Sequence, residues 1–328
     1  MSRNERRVKV SVVQAGSIPF DSAQTLQKLA DLAATAREAG SQLVVFPEAF
    51  VGGYPKGNEF GISLGRRTEE GRHDFQRYFE NAIHIPGPET EYIANVAREN
   101  KLDLVTGVIE RSGGTLYCTV VFHSSTGEYL GKHQKLMPTA LERCIWGSGD
   151  GSTLTVVETS CGKAGAVICW ENYMPLLRTA MYAKGVELYC APTVDDRDTW
   201  ISTMRHVACE GRCFVLSACQ FLAEKTQSAA AGENLPLIRG GSCIVSPFGE
   251  LLAGPIYGSE QVLTVEIDMS AITRGKFDLD VVGHYSRPDV FQLRVNPNEQ
   301  RAVTSMPQLP PIDPVDLSPQ VSNSGDPR

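Results

Sequence analysis

The chain predicts an α/β fold in one domain, with parallel and antiparallel strands mixed. Three observations carry that reading. Short, fully apolar runs such as Leu43-Val44-Val45-Phe46 need cover on both faces, as in a sheet flanked by other layers. Amphipathic helical stretches alternate with those runs in the first half. Turn signals such as Ser125-Thr126-Gly127-Glu128 fold other strands back on themselves. The 328 residues suffice for a large core, and no internal sequence repeat divides them. The expectation is one domain over residues 7–294, followed by a proline-, serine- and acid-rich tail over 295–328 that is disordered or an oligomer arm.

Taken in order, Val8 to Gln14 alternates and reads as a strand. Asp21 then caps an amphipathic helix through Leu26, Leu29, Leu32, Ala33 and Ala36. The apolar strand Leu43 to Phe46 delivers Pro47-Glu48 at its carboxyl end, where α/β folds carry their chemistry. Residues 51–72 read as a long glycine-rich loop. Gly61-Ile62-Ser63-Leu64-Gly65 within it matches a nucleophile-elbow pattern, but no strand precedes it and no helix follows directly, so the match is accidental. A helix from Pro88 to Asn100 leads into strands Leu102 to Ile109, Thr115 to His123 and Tyr129 to His133. Lys135 lies just past the last of these, before the loop 138–151.

In the second half Ala164 to Ile168 is a buried strand ending on Cys169, and the proline of Met174-Pro175-Leu176 starts a helix. Strand Val186 to Cys190, helix Trp200 to Gly211 and strand Cys213 to Cys219 follow. Residues 222–240 read as a mobile polar stretch, and Ser242 to Pro247 and Val262 to Ile267 as the final antiparallel strands.

Composition excludes several functions. Hydrophobic residues at 42% and charged residues at 21% describe an ordinary soluble chain. A net charge of -7 supplies no basic footprint for nucleic acid and no patch for a membrane surface. No apolar run reaches a membrane-spanning length of about 20 residues. The charged start, Met1 to Arg7, has no apolar signal core, so the expected compartment is the cytoplasm. Nine cysteines, an odd number without any Cys-x-x-Cys pair, suggest core packing rather than disulfides. The six histidines are scattered, so no metal site is expected.

Glu48, Lys135 and Cys169 each stand at the carboxyl end of a strand, and a sheet gathers such ends along one edge. A thiol attacking an unsaturated carbon must lose its proton, which a carboxylate can take, while an ammonium steadies the developing anion. Backbone N–H groups beyond Cys169 and the lysine charge would also lower the thiol pKa. Taken singly, each has a plainer role as core thiol, turn acid or solvated amine. Their co-occurrence is the argument. Tyr54, Trp170 and Thr193 lie in or after loops that would wall a pocket, and Trp200 reads equally well as core. His133 reads as a strand residue with a satisfied ring.

The local contexts add a resemblance. Val45-Phe46-Pro47-Glu48-Ala49-Phe50, His133-Gln134-Lys135-Leu136-Met137-Pro138-Thr139 and Ile168-Cys169-Trp170-Glu171-Asn172 resemble the signature blocks of the nitrilase superfamily. Cys-Trp-Glu, the loop Glu142 to Gly151 and the block Gly283 to Phe291 are similar to its true nitrilase branch. The resemblance implies a four-layer α-β-β-α sandwich that dimerises to α-β-β-α-α-β-β-α and extends into larger homo-oligomers or spirals. It implies Glu48 as general base, Lys135 as charge stabiliser and Cys169 as nucleophile, acting on a nitrile without cofactor. Glu142 matches a second acidic residue of such sites, its plainer role being an ion pair with Arg143. Amide hydrolysis, hydration of a nitrile or cyanide that stops at the amide, and a catalytically silent assembly subunit are the rival readings.

Overall fold

A computed structural model of the chain describes residues 6–225 and 236–303. The first half runs β1 (Arg7–Gln14), α1 (Ser22–Glu38), β2 (Leu43–Val45), α2 (Glu69–Asn81), α3 (Pro88–Asn100), β3 (Asp103–Ser112), β4 (Thr115–His123) and β5 (Tyr129–Gln134). The second runs β6 (Val156–Glu158), β7 (Lys163–Ala166), α4 (Pro175–Ala183), β8 (Leu188–Cys190), α5 (Asp198–Gly211) and β9 (Phe214–Ser217). It continues with β10 (Phe221–Lys225), β11 (Pro236–Arg239), β12 (Cys243–Val245), β13 (Leu251–Ala253), β14 (Gln261–Asp268) and α6 (Ser270–Asp278).

Two six-stranded sheets result, ordered β14-β1-β2-β3-β4-β5 and β13-β12-β9-β8-β7-β6, with β10-β11 as a separate hairpin. Each sheet has a parallel centre, β1-β2-β3 or β7-β8-β9, and antiparallel edges. Side chains of a strand alternate between faces, and here the alternation separates two apolar layers. Val10, Val12, Leu43 and Val45 join Ala164, Ala166, Leu188 and Cys190 in a core between the sheets. Their neighbours Val13, Val44 and Phe46 pack with Leu29 and Ala33 of α1 and Ile93 and Ala97 of α3. On the other side Val167, Tyr189 and Val215 pack with Met181 of α4 and Trp200, Met204 and Val207 of α5. Three apolar layers thus hold four layers of secondary structure, the expected α-β-β-α sandwich.

Several elements depart from expectation. The loop read over 51–72 gives way at Glu69 to α2, whose Phe75, Tyr78 and Phe79 share one face and pack on the core between the sheets. Residues 222–240, read as mobile, carry strands β10 and β11 at their ends, while the expectation for 226–235 falls outside the described residues. The three-residue strands β6 and β13 are too short to show a period. The compact body extends to Asn298, and beyond it a separate unit begins at Glu299, described only as far as residue 303. No described helix is long and apolar enough to cross a membrane.

Candidate active site

The parallel centre of the first sheet places Glu48. Beyond β2 the chain stays bonded to β3, with Phe46 N–H donating to the Val105 carbonyl and Val51 N–H to that of Gly107. The intervening turn lies hard against β3: a methyl at Gly107 would sit 2.1 Å from the Pro47 oxygen and 2.9 Å from the Glu48 Cα. Only glycine fits there. Ala49 takes the left-handed region, φ 51°, an uncommon conformation for a side-chain-bearing residue. The turn delivers a fully buried Glu48 carboxylate.

Lys135 follows β5, its N–H donating to the Cys118 carbonyl at 2.8 Å. Its buried Nζ donates to Glu48 Oε1 at 2.6 Å and to Glu142 Oε2 at 2.9 Å. Glu142 sits in a 3-10 turn, Ala140–Cys144, and its Oε2 also accepts from the Thr139 N–H at 2.6 Å. The plainer alternative for Glu142 does not hold, because the Arg143 guanidinium donates to the Pro138 carbonyl instead.

Cys169 opens another 3-10 turn, Cys169–Tyr173, just past β7. The approach is fixed by β8 and its extension: Val167 N–H donates to the Cys190 carbonyl and Cys169 N–H to that of Pro192. Cys169 adopts φ 49°, again left-handed, and is 3% exposed. Thr193 donates its hydroxyl to Cys169 Sγ at 3.2 Å. Glu48 Oε2 is buried with no hydrogen-bond partner among the described residues, and the Cys169 thiol near this carboxyl favours its charged form.

Burial decides the protonation of the site. It drives the Cys169 thiol up, and the nearby Glu48 charge adds to the effect. Against the expectation of a depressed thiol, desolvation outweighs both Lys135 and the Thr193 hydrogen bond. Burial also lifts Glu48 above the ordinary carboxylate range, with Lys135 opposing and Glu142 reinforcing. For Lys135, burial favours the neutral amine, yet the surrounding Glu48, Cys169, Cys118 and Glu142 prevail and keep it charged. The resting site holds a thiol beside a carboxylate made more basic by its surroundings. Proton transfer from sulfur to Glu48 can therefore accompany attack.

The family model described as carbon-nitrogen hydrolase matches residues 9–277. The chain belongs to that family. The hydrolase groups with its nitrilase branch: it is 54% identical over 312 residues to a bifunctional nitrilase/nitrile hydratase of Lupinus angustifolius, covering 92% of this chain and 89% of the relative. It is 53% identical to an aliphatic nitrilase of Sinorhizobium fredii, covering 91% and 99%, and 52% identical to nitrilase 1 of Arabidopsis thaliana, covering 90% and 89%. Among solved structures, Saccharomyces cerevisiae Nit3 superposes with a TM-score of 0.67 at 23% identity, covering 85% of this chain and 97% of that one. The C. elegans NitFhit protein gives 0.70 at 21%, covering 92% and 70%. These structural likenesses show the shared fold.

Around the acid–amine–thiol group, the hydrolase places its expected pocket residues differently. Tyr54 donates its hydroxyl to Glu142 Oε1 at 2.8 Å and stands between two cavities. One of these is bounded by Phe20, Tyr78, Gln220 and Leu222, the other by Phe60, Leu141 and Ile145. Thr193 is fully buried against the sulfur and lines neither. Trp170, 42% exposed, also lies outside both; its Nε1–H donates to Asp195 at 2.9 Å and Arg197 stacks on its ring. Trp200 is core, with its Nε1–H bonded to Ser217. Among the described residues no cluster of histidine, cysteine and acid could hold a metal ion.

Two contributors escaped the sequence reading. Cys118 on β4 donates its thiol to Glu48 Oε1 at 3.6 Å, beside the lysine bond. Gln220 donates its amide to the Glu48 carbonyl at 2.7 Å, bridging from the other sheet. The alternation of β4 marks Cys118 as inward-facing, but nothing in the sequence around Gln220 announces its reach.

Proposed function

We propose that this hydrolase is a nitrilase, converting an organic nitrile to carboxylic acid and ammonia through a cysteine thioimidate and thioester. The observation that carries the reading is the identity of 52–54% over about nine-tenths of the chain to relatives named for nitrile hydrolysis.

Cys169 Sγ attacks the nitrile carbon as Glu48 takes the thiol proton. A carbon–nitrogen π pair moves onto nitrogen, where Lys135 and the Trp170 backbone N–H steady the charge and the proton is returned to give a thioimidate. Water activated by Glu48 adds, the carbon–nitrogen bond breaks, and ammonia leaves behind a thioester. A second water cleaves the carbon–sulfur bond to release the acid. Glu142, held by Lys135 and Tyr54, orients substrate or water. Tyr54, which stands between the two cavities, shapes the substrate site, while Thr193 holds the sulfur in place. Breaking carbon–sulfur before carbon–nitrogen would release amide, an outcome favoured as a side path by the hydratase half of the Lupinus relative's name.

Cys169→Ala is expected to abolish acid, amide and ammonia release from a panel of arylacetonitriles, aliphatic dinitriles, β-cyanoalanine and cyanide, with circular dichroism unchanged. Ammonia persisting in that variant would remove Cys169 from its role. An amide consumed at least as fast as its matching nitrile would make amide hydrolysis the activity.

The reading extends to a cytoplasmic homo-oligomer, built from dimers that extend into a spiral. Nine free cysteines suit a reducing compartment. Exposed Tyr173 and Leu176, just before and within α4, offer apolar surface for self-association. Sedimentation velocity distinguishes such an assembly from a monomer.

A further inference from the structure

Glu171 lies two residues past Cys169, in the same 3-10 turn, with its side chain withdrawn from solvent. Its Oε1 accepts from the Leu136 N–H at 2.6 Å and its Oε2 from the Ile168 N–H at 2.8 Å. Those amides belong to the residue after Lys135 and the residue before Cys169. One carboxylate therefore ties the lysine strand of the first sheet to the cysteine turn of the second. Oε2 also meets His133 Nε2 at 3.0 Å, while His133 Nδ1 meets the Thr153 carbonyl at 3.1 Å. A carbonyl and a carboxylate are both acceptors, so both ring nitrogens carry hydrogen and the ring is an imidazolium.

We infer that His133 and Glu171 form a buried ionic clamp that positions Lys135 and Cys169 relative to each other, acting through these backbones and never touching the reacting atoms. The inference rests on the proposed roles of Lys135 and Cys169. Its logic is one of satisfaction: the carboxylate has three donors, two of them backbone amides that neither residue type nor mutation elsewhere can replace. The imidazolium supplies the compensating charge. Burial opposes that charge, but the Glu171 carboxylate and the Thr153 carbonyl together raise the ring above its usual value of 6.5. The Glu171 charge also reaches Tyr189 of β8 and Cys118 of β4, and burial keeps both of them neutral. Lys135 lies two residues beyond His133, just past the end of β5. When the ring loses its proton, one acceptor loses its donor and the carboxylate is no longer balanced, so the turn is free to shift against β5.

Nitrogen-15 spectra of histidine-labelled wild-type protein are expected to show one ring with both nitrogens protonated at pH 8, where exposed histidines are neutral. Spectra with every ring neutral would overturn the clamp without reference to activity. His133→Gln and Glu171→Gln are each expected to lower kcat about tenfold or more, the worth of a charged hydrogen bond, with KM within about twofold. Because the two act as one device, the double variant should lose no more than the worse single one. The wild-type fall in kcat on the alkaline side should be missing from His133→Gln. Folded variants that keep wild-type kcat, or losses that multiply, would reject the clamp; variants that do not fold leave the wild-type spectra to decide. A wild-type chain inactive on every nitrile tested would instead sink the proposed function.

Discussion

At the scale of single residues, the site is governed by what burial does to charge. Glu48, the proposed base, is the residue through which this reaches the rate. Its carboxyl is lifted above 4.5 because it is buried and close to Glu142, with Lys135 and the Cys169 thiol opposing. A base with a raised pKa stays protonated to a higher pH and so stops accepting the thiol proton sooner as acid is added. The acid limb of kcat/KM, which reports the free enzyme, is therefore expected to have its midpoint above 4.5. A midpoint at or below that value in a pH-rate profile would take Glu48 out of the base role. Glu48, Lys135 and Cys169 were legible because each carries its chemistry at a strand end. The protonation of Cys169 was not, because sequence shows the nearby cation and turn but not the depth of burial that overrides them. Cys118 and Gln220 were missed for a related reason: each acts through its direction in space, which residue type alone does not fix.

At the scale of elements, the site depends on turns that approach neighbouring strands more closely than an ordinary side chain allows. Ala49, Ala140 and Cys169 all take left-handed backbone, with φ of 51°, 49° and 49°, beside the two acids and at the thiol itself. Such conformations cost about 1–3 kcal/mol each and persist where the surroundings enforce them. Gly107 is one of the enforcers. In Gly107→Ala the new methyl would meet only backbone atoms of Pro47, Glu48 and Ala49, none of which can swing aside as a side-chain tip could. The Glu48 turn must move, and a displacement of about 1 Å is worth about 100-fold in rate. The expected result is a kcat loss of that order in a folded protein; a kcat within twofold of wild type would show that the turn has slack. Strands β1, β3 and β4 and helices α1, α3 and α5 were legible from their periods. Helix α2 was not, although Phe75, Tyr78 and Phe79 repeat at helical spacing on the core, because charged and polar residues fill most of its length. Its capping signal, Thr68 accepting from the Gly71 N–H at 3.0 Å, was there to be read in a stretch dominated by glycine.

At the scale of the whole molecule, the proposed mechanism requires two sheets to hold a fixed spacing, because Glu48 and Lys135 come from one and Cys169 from the other. Apolar packing between the sheets is non-directional, so directional bonds must set the register between them. Gln14 supplies one such joint. From the end of β1 its buried Oε1 accepts from the Gly241 N–H at 2.8 Å and the Ser242 N–H at 2.9 Å, just ahead of β12. Its amide donates in turn to the Ser259 carbonyl at 2.9 Å. Sequence marked Gln14 only as the last residue of a strand, because a joint between sheets is a property of their stacking and not of either strand. Gln14→Ala leaves two amides without their acceptor, at about 1–3 kcal/mol for each buried group left bare. The urea midpoint is expected to fall with its slope unchanged, as for a loss of native-state stability alone. Since Gln14 makes no bond to Glu48, Lys135 or Cys169, kcat per folded molecule should hold at temperatures well below unfolding. An unchanged midpoint would mean that packing alone sets the spacing, whereas a lowered kcat at full folding would mean that this joint and the reacting groups move together.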